Sequence, residues 1–390
     1  MSASAVPASK MTPAQQNQLA RNLIFGQAKP IFQRVTQRAF GSVVQGQNSM
    51  SVNPLQVGFL RRFVVEITAT ISNTGSTTIT LSPNGADNLL SNMTFNDFTG
   101  NPRHNCSGRS LSYVEAAKYK RIPGAALTSD TVSGFKSIVA SNVAPATIAS
   151  GATGTVTRVF EIPIMVDTGH YMAGGLWLGV NNQSTLLNLA LNTAPVVASG
   201  GDPLNAIYTG GAGSITAATV SVYQDYWNNV PVNQSNGQPI LPVQDVSTAY
   251  MITETNTGLT FSSGQPSSWN FPTFSKLLGT YFTYDNGADA LNAGTDISQI
   301  ALVVSNYSII KQYDPNVIDR LTRDVVGSSF PSGQYAITSR MHPLDVSQYP
   351  SLQLQITPSG TVNSGTYSLI TTELLRPVQY LAAASGVGGA

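Results

Sequence analysis

Carboxylates are absent from the first part of this chain, because its first acidic residue is Glu66. The formal net charge of all 390 residues is only +1, so the positive character is confined to the N-terminal segment. A general affinity for nucleic acid is therefore not indicated. The basic residues that precede the first acid are Lys10, Arg21, Lys29, Arg34, Arg38, Arg61 and Arg62.

Charge of either sign is scarce in the whole chain. Charged residues make up 10% of the sequence, against about 25% in an ordinary soluble domain. Low charge weakens repulsion between copies and lowers the desolvation cost of subunit contact, so this composition suits a protein whose flanks are covered by further copies of itself. An uncharged β-protein surface with no such role is the alternative.

Cysteine and long apolar runs are also lacking. The one cysteine, Cys106, excludes an intramolecular disulfide and favours a reducing compartment. Residues 1–10 have no apolar core of a secretory signal, and no run approaches the ~18 apolar residues that a transmembrane helix needs. We therefore expect a chain that neither spans a membrane nor carries an obvious export signal.

Few residues are suited to catalysis or metal binding. The three histidines, His104, His170 and His342, are not accompanied by a nucleophile motif or by metal-ligand spacing. His104 with Cys106 could contact a metal, but a surface loop that holds both is the favoured interpretation. The sequence predicts no cofactor.

Paired carboxylates, as in a glycosidase, are a further alternative, although the sequence singles out no pair. Outward-facing strand residues or partners of nearby arginines are the simpler interpretation. The candidate carboxylates are Glu66, Glu115, Glu161, Glu254 and Glu373.

The N-terminal segment is predicted to be helical. Thr12 is a candidate N-cap, Pro13 suits the first helical position, and Gln15 completes a capping box. Leu19, Leu23 and Ile24 then lie near one face.

A second helix is predicted from Pro30 to Gly41. Ile31, Val35 and Ala39 would form its apolar stripe, with Arg34 and Arg38 on a neighbouring face. Such a basic amphipathic element either lies on anionic lipid headgroups or packs between subunits, and the two roles are compatible. The candidate residues of this membrane or inter-subunit arm are Arg21, Leu23, Lys29, Ile31, Arg34, Val35 and Arg38.

From Val52 onward the hydrophobic pattern has a period of two, which indicates strands. Strands so numerous, with few helices between them, favour sandwiches or barrels over a parallel α/β sheet. Short helices are predicted at Leu111–Lys120 and after Asp314, where Ile318, Leu321 and Val325 share a face. The predicted strands are Arg62–Ser72, Thr155–Val166, Leu186–Leu191, Ser214–Trp227, Ile297–Ile310, Gln334–Arg340, Leu352–Thr357 and Thr366–Leu375.

The order of these elements repeats once, which predicts two similar eight-stranded sandwiches in tandem. The motif Asn84–Asp87 recurs at Asn286–Asp289, and residues 230–242, rich in Pro and Asn, form the natural joint. The predicted organisation is an arm over residues 1–50, a first domain over 51–237, a second over 238–380 and a flexible tail over 381–390.

Several segments resemble the major capsid protein of tectiviruses, tailless icosahedral bacteriophages with an internal membrane. The resemblance runs in order from about Asn53 to about Ser308 and is weak in the arm and after Lys311. The segments that carry it are APATIASGATGTVT (144–157), DPLNAIY (202–208), VYQDY (222–226), QPILPVQDVSTAYM (238–251) and YDNGADALNAGTDI (284–297).

This resemblance implies an all-β fold of two tandem eight-stranded jelly-roll barrels with short flanking helices and an N-terminal helical arm. It also implies a homotrimer of roughly six-sided outline that tiles an icosahedral shell, with the arm at the inner, membrane-facing side. Loops at Thr99–Arg109, Gly169–Gln183 and Val196–Gly213 would form towers at the opposite end.

We therefore predict a structural capsid protein with no enzymatic activity. Its predicted partners are further copies of itself, minor capsid or vertex proteins and the viral internal membrane, without direct contact to nucleic acid. It is expected in the virion, after assembly in the host bacterial cytoplasm. A receptor-binding spike or fibre, and less so a carbohydrate-active enzyme, are the alternatives.

Overall fold

A computed structural model shows the fold of the chain. The residues that it describes are 11–43, 48–82, 84–119, 143–166, 172–179, 185–192, 206–257, 264–285, 297–304, 308–314, 317–318, 320–321, 334–340, 342–359 and 367–377.

The first half of the chain contains two helices and twelve strands among these residues. They are α1 (Pro13–Gln27), β1 (Lys29–Phe40), β2 (Ser49–Val52), β3 (Phe59–Asn73), β4 (Ile79–Leu81), β5 (Leu90–Asn96), β6 (Pro102–Cys106), α2 (Gly108–Tyr119), β7 (Thr147–Ile148), β8 (Thr153–Pro163), β9 (Leu176–Trp177), β10 (Leu186–Leu191), β11 (Tyr208–Thr209) and β12 (Gly213–Asn228).

Besides short helical stretches after Asp314 and at Val346–Gln348, the second half contains the helix α3 and nine strands among its described residues. They are α3 (Val243–Val246), β13 (Thr248–Thr257), β14 (Ser267–Asn270), β15 (Lys276–Asp285), β16 (Ile297–Val304), β17 (Ser308–Tyr313), β18 (Gln334–Thr338), β19 (Leu344–Asp345), β20 (Leu352–Pro358) and β21 (Tyr367–Pro377).

The strands of each half form two main sheets, and β11, β4 and β7 form a third, small sheet in the first half, so the all-β prediction is confirmed. In the first half the strand orders are β1-β12-β3-β8 and β2-β10-β5-β6, and in the second β13-β21-β15-β18 and β14-β20-β16-β17. Nearly all neighbours are antiparallel, but β6 and β13 pair in parallel, with Ile252 opposite His104. This pairing joins one sheet of each half into a single nine-stranded sheet, whose end strands are β2 and β18.

Alternating apolar residues create the two main cores. In β20 buried and half-buried residues alternate without interruption, as expected of a strand with one face in a core. The larger core lies in the first half and also contains Tyr250, Ile252 and Tyr281 of the second half. The halves are therefore packed together through apolar side chains as well as through backbone pairing.

The strand registers place corresponding ends of both halves together. Lys29 lies opposite Asn228, Thr248 opposite Pro377, and Lys276 opposite Leu375. The starts of β1 and β13 lie at the same end of the molecule, because Arg21 of α1, just before β1, contacts Asp245 of α3, just before β13. We call this end the base and the other end the top.

Two helix predictions agree with the structure. Thr12 accepts a hydrogen bond from the Gln15 backbone and completes the capping box of α1. The helix predicted at Leu111–Lys120 corresponds to α2, which begins earlier, at Gly108. In α1, however, Leu19 is exposed and Ile24 is buried, so the buried face is narrower than predicted.

The helix predicted after Asp314 is described only in part. Residues 317–318 and 320–321 are helical, with Ile318 buried and Leu321 exposed. Val325, the second copy of the Asn-Gly-Ala-Asp motif and the tail 381–390 lie outside the described residues.

The predicted helix Pro30–Gly41 is wrong, because these residues form strand β1. β1 pairs with β12 over its whole length, and a register shift between Arg34 and Thr36 leaves Val35 as an extra residue. Ile31, Val35 and Ala39 therefore do not form the predicted apolar stripe, since Ala39 is exposed while Ile31 and Val35 are half-buried. The part of residues 1–50 that stands outside the sheets as a helix is α1.

Three further predictions are corrected by the sheet structure. The strand predicted at Ile297–Ile310 is two strands, β16 and β17. Thr99–Arg109 is no tower loop, because it contains β6. The described part of Gly169–Gln183, residues 172–179, lies on the base side, where the Gly174 N–H donates to the Asp245 carbonyl at 3.0 Å. Val196–Gly213 leads into β12 from the top, but its described part includes the buried Ile207.

Candidate functional site

An ion pair fixes helix α1 to the junction between the two halves. Nε of Arg21 lies 2.6 Å from one oxygen of Asp245 in α3, and Nη2 lies 2.5 Å from the other. The Asp245 side chain is only 4% exposed, so this bidentate pair is well shielded from water. Arg21, a predicted arm residue, is therefore used within the fold.

Apolar and amide contacts complete the docking of α1. Ile24 is buried in a cluster with Phe59, Met165 and Trp227, and the Asn17 side chain accepts a hydrogen bond from the Gln244 backbone at 3.0 Å. Leu23 is half-buried. The helix thus contacts the base of the first half and the start of the second at once.

Strand β1 is an exposed edge of the first half. In the described part of the chain it pairs only with β12, and Lys29, Arg34 and Arg38 are exposed along it. Phe32 is 55% exposed and stacks on Tyr223 with ring centroids 5.1 Å apart. This edge therefore presents apolar, basic and unpaired backbone groups together.

The second half has an exposed edge at β17, the end strand of its four-stranded sheet. Among the described residues β17 pairs only with β16, and its Ile309 is 52% exposed. Val317 and Leu321, which follow it, are also exposed. The β17 edge lies near β18, because Ile318, which follows β17, shares a core with Tyr335 of β18. The β1 edge lies near β2, because Arg38 of β1 donates a hydrogen bond to Ser49 of β2. Since β2 and β18 are the two end strands of the nine-stranded sheet, the two edges face away from each other.

The predicted arm residues are thus not one surface. Arg21 and Leu23 lie on α1, Lys29 and Ile31 lie at the base end of β1, and Arg34, Val35 and Arg38 lie further up the same strand. About nine residues of extended chain, or roughly 30 Å, separate Lys29 from Arg38.

Most described carboxylates lie inside the protein against a cation. Arg158, for example, binds Asp87 at 2.5 Å and Glu115 at 3.0 Å. Burial alone would lower the pKa of Arg158, but these two carboxylates raise it above its ordinary value. The buried and paired carboxylates are Asp87, Asp97, Glu115, Glu161, Asp225, Asp245 and Glu373.

The exposed charges that remain are mostly basic. Asp314 is the exposed carboxylate of the described residues, and Glu66, Glu254 and Asp345 are half-buried. The exposed basic residues of the same part are Lys29, Arg34, Arg38, Lys276, Lys311, Arg320 and Arg376. Sequence reasoning missed this division, because the formal charge does not show which carboxylates are internal.

His104 and Cys106 lie inside a sheet and not on a surface loop, so that prediction is wrong. His104 Nδ1 accepts a hydrogen bond from the Ile252 backbone at 3.0 Å. Burial and the neighbouring Arg103 lower the pKa of His104 to about 3, and burial raises the pKa of the Cys106 thiol. No group of side chains able to hold a metal occurs among the described residues.

Four of the five carboxylates considered for a glycosidase bind groups of the fold, and the fifth, Glu66, lies on β3. Glu161 binds Arg62 at 2.6 Å, Glu254 accepts from the Ser107 backbone at 2.7 Å, and Glu373 accepts from Tyr250 at 2.6 Å. Glu115 binds Arg158 at 3.0 Å. Glu66 lies half-buried on β3.

Comparison with known protein families identifies both halves. Residues 5–230 match the model of the N-terminal part of the P3 major capsid protein, and residues 248–388 match its C-terminal part. The chain belongs to the P3 major capsid protein family. The predicted resemblance to tectivirus capsid proteins is thereby confirmed.

A relative and two solved structures agree with this assignment to the P3 family. The chain is 31% identical over 384 residues to the major capsid protein P3 of Enterobacteria phage PRD1, with 93% of this chain and 94% of the relative covered. It matches a chain from Sulfolobus Turreted Icosahedral Virus with TM-score 0.64 and 13% identity, over 92% of this chain and 93% of that one. The PBCV-1 virus capsid matches with TM-score 0.51 and 11% identity, over 90% and 95%.

The P3 family makes this protein a structural major capsid protein of a phage virion and not an enzyme. The structural matches confirm the double jelly-roll fold class. As a capsid protein it associates with further copies of itself in a capsid lattice.

None of the helices described here is both long and apolar enough to cross a bilayer.

Proposed function

We propose that this protein forms pseudo-hexagonal homotrimers and that these trimers tile an icosahedral virion shell over an internal membrane. The observation that supports it best is the pair of exposed edges, β1 in the five-stranded sheet of the first half and β17 in the four-stranded sheet of the second, which lie next to the β2 end and the β18 end of the nine-stranded sheet. Each copy would place its β1 edge against the β17 edge of the next copy.

The position of the two edges favours a closed ring over a symmetric dimer. A contact between two different patches is heterologous, and it closes into a ring when the rotation between copies allows. Three such chains, each with two jelly rolls, give a six-sided outline. Exposed Phe32 and Ile309 would be covered in the ring, which stabilises it through apolar burial.

Charge is compatible with this pairing. Arg34 and Arg38 are exposed on the β1 edge, and Asp314 is exposed directly after β17. Opposite charges across an interface fix its register and disfavour wrong partners. We assign Arg34, Val35 and Arg38 to this inter-subunit contact.

Cysteine cross-linking tests the contact directly, since the native Cys106 is buried. A chain carrying both Phe32→Cys and Ile309→Cys should give covalently closed trimers on oxidation, whereas each single variant should stay uncross-linked. Dimers from a single variant would show a symmetric contact and overturn the head-to-tail arrangement.

The mass in solution gives a second test. Light scattering should give three times 41.1 kDa for the native chain, and Phe32→Ser or Ile309→Ser should raise the monomer fraction. The matched control is Val143→Ser, because Val143 is equally exposed but lies on neither edge. A native monomer would contradict the trimer proposal.

We further propose that the base faces the internal membrane and that assembly takes place in the host bacterial cytoplasm. Lys29 is the predicted arm cation exposed at the base, and Lys29→Glu should reduce flotation with anionic vesicles. Minor capsid or vertex proteins would bind the finished trimers, and no direct contact with nucleic acid is proposed.

A further inference from the structure

A loop of the second half displays an aromatic side chain at the base. Phe274, between β14 and β15, is 72% exposed, the largest fraction among the exposed large apolar residues of the described chain. Its backbone is in the left-handed region, with φ of 59°. That conformation is uncommon for a bulky residue.

The surrounding contacts hold this loop in place. The Ser275 hydroxyl donates to the Pro272 carbonyl at 2.6 Å, and the Ser275 carbonyl accepts from the Val346 backbone at 2.9 Å. Phe271 is buried and packs edge-to-face on Trp269, with centroids 4.9 Å apart. The fold therefore fixes Phe274 outside the core, although burying it would be favourable.

Basic residues flank Phe274. Lys276 begins β15 opposite Leu375, the residue before Arg376 of β21, so both cations lie at the base, and both are exposed. The nearest described carboxylate, Asp345 opposite Lys276, is half-buried and accepts hydrogen bonds from the Ser347 backbone at 3.0 Å and hydroxyl at 2.5 Å.

Other groups at the base are also apolar and exposed, or are carboxylates that are buried. Val243, just before β13, is 66% exposed, and the carboxylates of Asp97, Asp225 and Asp245 are buried against arginines. The base of the second half thus combines apolar points with exposed positive charge. Such surfaces bind at the boundary between anionic headgroups and acyl chains.

We propose that Phe274 inserts into the interface of an anionic bilayer and that Lys276 and Arg376 contact its headgroups. An aromatic ring at headgroup depth with flanking cations matches the preferred positions of these side chains at membranes. A nucleic-acid backbone would account for the cations but not for an apolar ring held outward. This inference rests on the proposed membrane-facing base, and it assigns the contact to the second half and not to the arm.

Vesicle flotation of the full-length protein tests the proposal. The probe is phosphatidylcholine vesicles with and without phosphatidylglycerol. Phe274→Asn removes the aromatic ring, and asparagine tolerates the left-handed backbone at this position. This variant should lower vesicle binding at limiting lipid about tenfold. The double variant Lys276→Glu, Arg376→Glu should lower it by a similar factor. Val143→Asn is the matched control, because Val143 is exposed and pairs with Thr157 in the middle of β8, away from the base.

Fluorescence gives a readout of insertion itself. Phe274→Trp should keep the native binding, and its emission should shift to shorter wavelength and be quenched by brominated lipid relative to the native chain. Emission that ignores the lipid would overturn insertion.

The outcomes separate the two proposals. Loss of flotation in Lys29→Glu with native flotation in Phe274→Asn would overturn this inference and leave the arm contact. No flotation of the native chain would contradict the membrane-facing base as well. Binding of short DNA in place of vesicles, or loss of trimers in Phe274→Asn, would show a nucleic-acid or protein surface and likewise overturn it.

Discussion

Glu254, on β13 of the second half, accepts a hydrogen bond from the Ser107 backbone at 2.7 Å, at the start of α2 in the first half. The hydroxyls of Ser107 and Ser110 donate to the same carboxylate oxygen. An anion at a helix N-terminus satisfies free N–H groups and is favoured by the helix dipole. A residue of one half therefore caps a helix of the other.

Removing this cap should destabilise the whole chain. Glu254→Ala is expected to lower the free energy of unfolding by about 1–2 kcal/mol, measured by urea denaturation with circular dichroism. Glu66→Ala is the control, because Glu66 is also half-buried but lies on the outer side of β3, and it should change stability by less than about 0.5 kcal/mol. Equal losses in both variants would argue against a capping role.

The Arg21–Asp245 pair should be strongly coupled. Arg21→Ala leaves Asp245 buried without its cation, which should cost about 3 kcal/mol. The double variant Arg21→Ala, Asp245→Ala should cost less than the two single changes added together, as a double-mutant cycle measures. Arg34→Ala, at an exposed position, should have little effect on the isolated chain. Additive losses would show that the two side chains act independently.

Gly174 should not tolerate a side chain. Its φ is +93°, and a Cβ there would lie 2.5 Å from the Ile164 carbonyl oxygen and 2.6 Å from Tyr250 Cβ. Gly174→Ala should therefore cost about 3 kcal/mol or more in thermal or urea unfolding. At Gly151 φ is +72° but no atom lies within 4 Å, so Gly151→Ala should cost only about 1 kcal/mol. A milder effect at Gly174 would show that this contact between the halves is loosely packed.

Acid should weaken the fold through His104. Its pKa is about 3 in the folded chain against an ordinary 6.5, so only the unfolded chain binds a proton between these values. The contribution of His104 to the free energy of unfolding is fully present above pH 6.5. It falls by about 1.4 kcal/mol per pH unit as the pH drops from 6.5 towards 3. His104→Asn, which keeps an acceptor for the Ile252 N–H, should flatten this dependence in urea titrations at several pH values. A native slope in His104→Asn would refute the assignment.

Strands with a clear period of two were predictable because each has one face in a core. β10 matches its predicted bounds, β20 is longer than predicted by one residue at its end, and β12 is longer by one residue at each end. The capping box of α1 was predictable because it depends on side chains three residues apart.

The strand β1 was not predictable from its own sequence. Ile31, Val35 and Ala39 are four residues apart, a spacing that places residues on one face of a helix and also of a regular strand. The long strand β12 supplies backbone partners for eleven residues of β1, and this pairing favours the strand over the helix. Strand pairing is non-local, so local propensity has little influence where a sheet edge is available.

The sequence by itself determined that this is a β-rich, weakly charged chain with the likeness of a capsid protein, because composition, period and motif order are properties of neighbouring residues. Only the tertiary structure decided that most carboxylates are internal, that Arg21 is bound to Asp245, and that two exposed edges lie at opposite ends. These features depend on residues that are mostly far apart in the chain, such as Arg21 and Asp245 at 224 positions, and only the folded backbone brings them into contact.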